Sequence, residues 1–322
     1  MRECCALNFQ LNVWLRAIRY RFLAASAIGV SCGLALAIWA NPSQFSILNS
    51  VLIYLGVFCL HSSVDLLNDY FDFKRGIDLR TKKTKFSGGT GVLPEGLLTP
   101  RSVYLAGIVF LLIGLTIGGL FVILKGYIIG IILCFAAISI VLYSTKLVDL
   151  GLGELFVGIK GTLIVIGTFY IQTSLVSVES IGLGVVAGLL SSMVLFINSI
   201  PDIKADREGG RRTLAIILDV YDSQAKFYFV MGLIMLTYLS ALLFFNELDG
   251  NILSILPVIL VLPLALKILV DFKRYLVSMK GDDESLNYVL IMRNAVLFSR
   301  LFGVALILGI IIVILNNIDV VR

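Results

Sequence analysis

The chain has 322 residues, 59% hydrophobic and only 15% charged, with a mean hydropathy of +1.00. Water-soluble domains carry about a quarter charged residues, so the composition excludes an ordinary soluble enzyme. The net charge of +5 calls for no nucleic acid, because the basic residues lie where membrane topology needs them. Backbone groups in lipid are satisfied within helices, and a span takes roughly 20 apolar residues. Runs of this kind fall near residues 22–40, 46–67, 102–124, 127–145, 152–173, 180–200, 226–246, 250–270 and 296–315. They predict an all-α polytopic membrane protein of about nine transmembrane helices, forming a single domain over residues 1–322. The basic segment before the first run mimics a signal peptide, with Ala35 and Ala37 as a cleavage site. The run continues to Ala40, however, and reads as a helix of the mature chain.

Charge follows these runs. Arg2, Arg16, Arg19 and Arg21 precede the first; Lys74, Arg75, Arg80, Lys82, Lys83, Lys85 and Arg101 follow the second. Lys146 follows the fourth, Lys204, Arg207, Arg211, Arg212 and Lys226 the sixth, and Lys273, Arg274, Lys280 and Arg293 the eighth. The positive-inside rule then puts the N-terminus and every long loop in the cytoplasm and the C-terminus outside, in a cell membrane. The five cysteines, Cys4, Cys5, Cys32, Cys59 and Cys134, form no metal or redox spacing and read as small core residues.

Two cytoplasmic loops, 66–101 and 201–226, each open on carboxylates at the end of an even-numbered span. In the first, Asn68 and Asp72 stand one helical turn apart, as do Asp65 and Asp69. Gly76 is a helix stop that lets Asp78 fold back towards the same place. In the second, Asn198, Asp202 and Asp206 recur every four residues, and Pro201 bends or unwinds the helix between them. The Asn-to-Asp spacing is the same in both motifs, which lie 130 residues apart. This points to a parallel repeat of four-helix units, about 14–145 and 151–272, with a ninth helix added. The acids of a third loop at 272–294, Asp282, Asp283 and Glu284 beside Lys280, read as a solvated connector.

Carboxylate and amide oxygens without His or Cys favour a hard cation. Mg²⁺ takes one or two carboxylates and fills its shell with water and substrate phosphate. Asn68, Asp72, Asn198, Asp202 and Asp206 are therefore the predicted metal ligands, with two Mg²⁺ ions expected between the stripes and a diphosphate. The interleaved Lys74, Lys204 and Arg207, together with Asp78, complete the predicted diphosphate site. Neutralising a departing diphosphate is what breaking an allylic C–O bond demands.

These motifs resemble the UbiA superfamily of intramembrane prenyltransferases, and most of all its menaquinone-type branch. NDYFDFKRGID at 68–78, GGTGVLPEGLL at 88–98, GLGELFVGIKG at 151–161, YIQT at 170–173 and NSIPDIKADREGGRRTLA at 198–215 carry the resemblance. It implies helices around a central cavity under a cytoplasmic cap that includes Gly88, Gly89, Thr90 and Gly91. It implies transfer of a polyprenyl group from prenyl diphosphate to an aromatic acceptor in the bilayer, 1,4-dihydroxy-2-naphthoate in that branch, with no protein partner. Asp72 and Asp202 become catalytic, joined by Tyr143, whose ring would face the allylic carbon, and Lys146, near the diphosphate. The branch usually has Asn and Arg where this chain has Ser199 and Pro201. This keeps 4-hydroxybenzoate, haem and a glycerol phosphate ether lipid open as acceptors. A cation-coupled transporter is the reading of another class, but its site belongs near the bilayer midplane. Glu154 and Lys160 place charge at the start of and inside the fifth span, where charge is costly and marks function; they orient the acceptor or pair with each other, although a spacing of six sets them on different faces. His61, the sole histidine, reads as interfacial.

Overall fold

The apolar runs fold as helices because lipid offers the backbone no other partner. A computed structural model describes residues 2–81, 83–84, 86–222, 224–248, 250–278 and 285–321. Lys82, Lys85, Lys280, Asp282, Asp283 and Glu284 lie outside the described residues. In chain order the helices are α1 (Arg2–Ala17), α2 (Leu23–Ala40), α3 (Ile47–Lys74), α4 (Pro100–Lys125), α5 (Tyr127–Leu142), α6 (Gly153–Thr173) and α7 (Val178–Ser199). They continue as α8 (Ile203–Glu208), α9 (Leu214–Tyr221), α10 (Ala225–Glu247), α11 (Ile252–Ile259), α12 (Leu262–Ser278) and α13 (Ser285–Val321).

Among the described residues eight stretches are long and apolar enough to cross a membrane, α7 with α8 and α11 with α12 counting as one each. The shorter α5 makes the ninth. Its 16 residues rise only about 24 Å, against a hydrocarbon core of about 30 Å. A π-turn over Tyr143–Leu147 and a 3₁₀ turn over Val148–Leu150 extend it. The chain is thus a multi-pass membrane protein with the predicted number of hydrophobic helices.

Helix α6 packs along α7, α3 along α4, and α10 on α7, while α2 lies against α6 and α13. The α6–α7 approach is close because glycines face each other: a Cβ on Gly188 would stand 2.4 Å from the Gly158 carbonyl oxygen. The largest core gathers Leu183, Met193, Phe196, Phe244, Phe272 and Phe302 from the second half of the chain and α2. Of the cysteines, Cys32 and Cys59 are buried, but Cys134 is exposed on the outer face of α5 and fills no core.

Helix α1 was not foreseen, being too polar for a span. Val13 and Ala17 pack with Leu66 of α3, Val103 of α4 and Val92 and Leu93 of the intervening loop. An amphipathic helix thus pins the 75–99 loop over the end of the bundle.

Candidate active site

Helix α3 runs past its apolar stretch, so its last two turns carry the first acidic motif on regular helical faces. Asp65, Asn68 and Asp72 face one cavity, as the i, i+3, i+7 spacing requires. The Asn68 amide donates to Asp72 Oδ2 at 3.0 Å. Asp69 points elsewhere: it is buried, pairs with Arg19 at 2.6 Å and accepts the Thr90 hydroxyl. Beyond Lys74 the chain turns through Gly76, with φ +73°, and the Ile77 N–H closes on the Asp72 carbonyl at 3.0 Å. This helix stop returns Asp78 to the cavity wall. There it abuts Gly89, where a Cβ would come within 2.7 Å of its carboxylate. Burial first, then the carboxylates of Asp69 and Asp72, push the Asp78 carboxyl up to about 8.

The second motif is built differently. Pro201 interrupts the helix, and a 3₁₀ turn over Ile200–Asp202 separates α7 from α8. Asn198, Asp202 and Asp206 all line the same cavity. The backbone N–H of Gly88 donates to Asp202 Oδ2 at 3.2 Å. The other oxygen of Asp202 and the amide oxygen of Asn198 are buried without a hydrogen-bond partner.

Arg211 joins the two motifs. Its guanidinium donates to Asp72 of α3 and, at 3.2 Å, to Asp206 of α8. All three side chains are less than a tenth exposed. Two acidic patches distant in sequence therefore close on one point, with a cation between them. Over them lies the 75–99 loop, whose Phe86, Ser87, Gly88 and Gly89 form part of the wall. The cavity measures about 380 Å³. It runs from this acidic end between α2, α3, α6 and α7 and meets an apolar recess of about 120 Å³ through Val57, Leu60, Ala136, Lys160 and Ile164.

The other residues singled out in the sequence divide. Tyr143 enters the cavity from the π-turn, an irregularity common where a helix serves a site. Glu154, Lys160 and His61 line it as well, so His61 faces the interior and not the interface. Lys74, Lys146, Lys204 and Arg207 are all exposed and do not line the cavity. The helical repeat explains three of these corrections: at about 100° per residue, Lys74 and Lys204 sit some 200° from Asp72 and Asp202, and Arg207 about 100° from Asp206. Lys74 lies over the Tyr70 ring at 5.0 Å, and Arg207 pairs with Asp219 at 3.0 Å. Lys146 follows Tyr143 by three residues in a π-turn, which turns it outwards. The cations that do reach the acidic end are Arg19 and Arg211. Both were visible in the sequence only as topology charges. The signal for Arg211 was the Gly209-Gly210 pair after Asp206, a turn that brings the Arg211 N–H back to the Asp206 carbonyl at 2.8 Å.

Residues 29–287 match the UbiA prenyltransferase family, four-fifths of the chain. The chain belongs to this family. It is therefore a prenyltransferase. Similar curated proteins include the 1,4-dihydroxy-2-naphthoate octaprenyltransferases of Haemophilus influenzae, 28% identical over 74% of this chain and 80% of that one, and of Bacillus subtilis, 30% identical over 61% and 62%. Among solved structures, a UbiA homologue from Archaeoglobus fulgidus bound to GPP and Mg²⁺ superposes with a TM-score of 0.62 at 17% identity, over 92% of this chain and 99% of that one. At that identity the likeness establishes the fold that this UbiA member shares.

Proposed function

We propose that this UbiA member transfers a polyprenyl group from prenyl diphosphate to 1,4-dihydroxy-2-naphthoate, with Mg²⁺ as its metal and the acidic end of the bundle in the cytoplasm. The observation that carries the reading is the meeting of Asp72, Asp202 and Asp206 at one end of a cavity whose remaining walls are largely apolar. Such a cavity suits a molecule with an anionic head and a hydrocarbon tail. The naphthoate acceptor rests on the relatives named above.

The side chains fit a divalent cation. Asn198 Oδ1 and Asp202 Oδ1 are buried oxygens without partners, and Arg211 already holds a positive charge between Asp72 and Asp206. Among the described residues no three His, Cys, Asp or Glu side chains enclose an ion by themselves. Mg²⁺ does not need such a cage, since phosphate and water supply much of its shell. Asn68, Asp72, Asn198, Asp202 and Asp206 would hold it. When bound, the metal supplies charge neutralisation for the leaving diphosphate.

Everything else falls to the protein. Arg19 and Arg211 stand at the cavity end and take diphosphate oxygens through charge-assisted hydrogen bonds. The Asp78 carboxyl and the Gly88–Gly89 backbone lie over the same end and exclude water, which would otherwise capture the allylic cation as prenyl alcohol. The Tyr143 ring offers a π-face to that cation, an interaction worth about 2 kcal/mol when desolvated. The apolar recess beside α3–α6 receives the tail. The basic residues Arg16, Arg19, Arg21, Arg75 and Arg80 cluster on the same side as the acids, which supports a cytoplasmic N-terminus and an external C-terminus.

Purified protein given labelled geranylgeranyl diphosphate, Mg²⁺ and a panel of acceptors tests the reading. Prenylated naphthoquinol is the expected product, lost on chelation of the metal. Product formed only with 4-hydroxybenzoate, haem or a glycerol phosphate alcohol overturns the naphthoate assignment.

A further inference from the structure

Lys160 stands in an unusual position. It lies seven residues into α6, roughly 10 Å along the helix from its start, within a membrane-spanning segment. It is half-buried on the cavity wall, at the mouth of the apolar recess. Among the described residues it makes no hydrogen bond and no ion pair. A charge inside the bilayer without a partner is expensive and is retained where it meets a ligand or a pathway.

The same cavity is lined by a polar group on α2 and α3. The Nδ1 of His61 and the hydroxyl of Ser26 lie 2.7 Å apart. The Nε2 of His61 stands 3.7 Å from Asp65 Oδ2, one turn further along α3. That oxygen is buried and has no hydrogen-bond partner. His61, Asp65 and Lys160 all line the cavity. Lys160 and Asp65 nevertheless form no ion pair, although both line this cavity.

Depth adds a second constraint. Asp65 precedes Asp72 by seven residues on one helix, about 10 Å further from the acidic end. The polar group therefore lies beyond the diphosphate position, on the side that an incoming acceptor must occupy to reach the carbon next to the diphosphate. A point-charge ammonium binds a carboxylate, and an unpartnered carboxylate oxygen beside an imidazole accepts a hydroxyl proton. A planar aromatic acid with a hydroxyl beside its carboxyl satisfies both walls at once.

We propose that Lys160 is the binding site for the carboxylate of the acceptor, facing a hydroxyl site made by Asp65 and His61, and that it selects carboxylated aromatic acceptors over uncharged ones. This rests on the reading that the cavity takes an aromatic acceptor, and it assigns the residues that recognise it.

The test uses two stable fluorescent ligands, 1-hydroxy-2-naphthoate and 1-naphthol, titrated against the full-length protein in lipid nanodiscs. A non-hydrolysable geranylgeranyl thiodiphosphate with Mg²⁺ is titrated in parallel. The wild type is expected to prefer the acid by about tenfold or more, the worth of a hydrogen-bonded charge. Lys160→Met is expected to weaken the acid by about tenfold to a hundredfold and to leave 1-naphthol unchanged, which also shows that the variant is folded. Lys160→Arg is expected to keep the preference. A wild type without preference, or a Lys160→Met protein that keeps it, overturns the assignment. Acid binding that follows residue 160 in a protein deaf to thiodiphosphate would leave this site standing and bring down the proposed diphosphate site at the acidic end instead.

Discussion

The two acidic motifs share a spacing but not a state. On α3 two acids of an unbroken helix, Asp69 and Asp72, are answered by the protein's own cations, Arg19 and Arg211. On α7–α8 a proline breaks the helix; Arg211 reaches Asp206 as well, but Asn198 and Asp202 each keep a buried oxygen that nothing among the described residues satisfies. A buried polar atom without a partner costs about 1–3 kcal/mol, a penalty that a ligand can remove. Asp69 and Asp72 are thus locked into the fold, whereas Asn198 and Asp202 wait for a partner.

Neutralising each motif in turn breaks this comparison most sharply. Asp72→Asn and Asp202→Asn are both expected to lower the rate of prenyl transfer by about 10²- to 10³-fold, the usual loss when an electrostatic partner of the leaving group is removed. Their effects on stability should separate. Asp72→Asn uncouples a buried ion pair and should cost about 3 kcal/mol, whereas Asp202→Asn should cost nothing in metal-free protein. Equal losses of thermal stability in the two variants would abolish the distinction.

Arg211 offers the next largest effect. Its removal leaves Asp72 and Asp206 facing each other without the cation that now separates them. Arg211→Gln should lose about 3 kcal/mol or more in the absence of metal, and Mg²⁺ should recover much of it. Binding to the folded state alone raises apparent stability with ligand concentration. The melting temperature of Arg211→Gln should therefore rise more on adding Mg²⁺ than that of the wild type. An identical response in both proteins would mean that the guanidinium does not share the cation's position. A smaller effect belongs to Pro201→Ala, which allows the 3₁₀ turn to relax into continuous helix and swings Asp202 from its place. Misplacement of this order should slow transfer about tenfold, with little change in melting temperature.

How far the sequence could be read follows from which physics governs each residue. The spans were legible because hydrophobic length alone determines them, and α5 came out short only because irregular turns complete its run. Asn68 and Asp72 were legible because one helical turn joins them, and Pro201 because proline acts locally. The partners of the acids were not. Lys74, Lys204 and Arg207 are near their acids along the chain but on other faces of the helix, while Arg19 and Arg211 arrive through α1 and through a glycine turn whose path no periodicity encodes. The same holds for Lys160 and His61, which belong to different helices and share a cavity only because α6 and α3 line it together.

Asp78 gives the smallest and most specific test of the locked motif. It lies outside the spans at the turn after α3, and burial together with Asp69 and Asp72 raises its carboxyl to about 8. An unfolded chain releases this proton near pH 4. Between these values the folded protein holds a proton that the unfolded one has lost, so the contribution of Asp78 to stability is full below about pH 4 and fades as the pH rises towards 8. Asp78→Asn keeps the neutral form at every pH. Metal-free wild type should thus lose stability from pH 5 to pH 8 more steeply than the variant. Parallel curves would mean that the turn at Gly76 does not bring this carboxyl into the field of Asp69 and Asp72, and that the first motif ends with its helix.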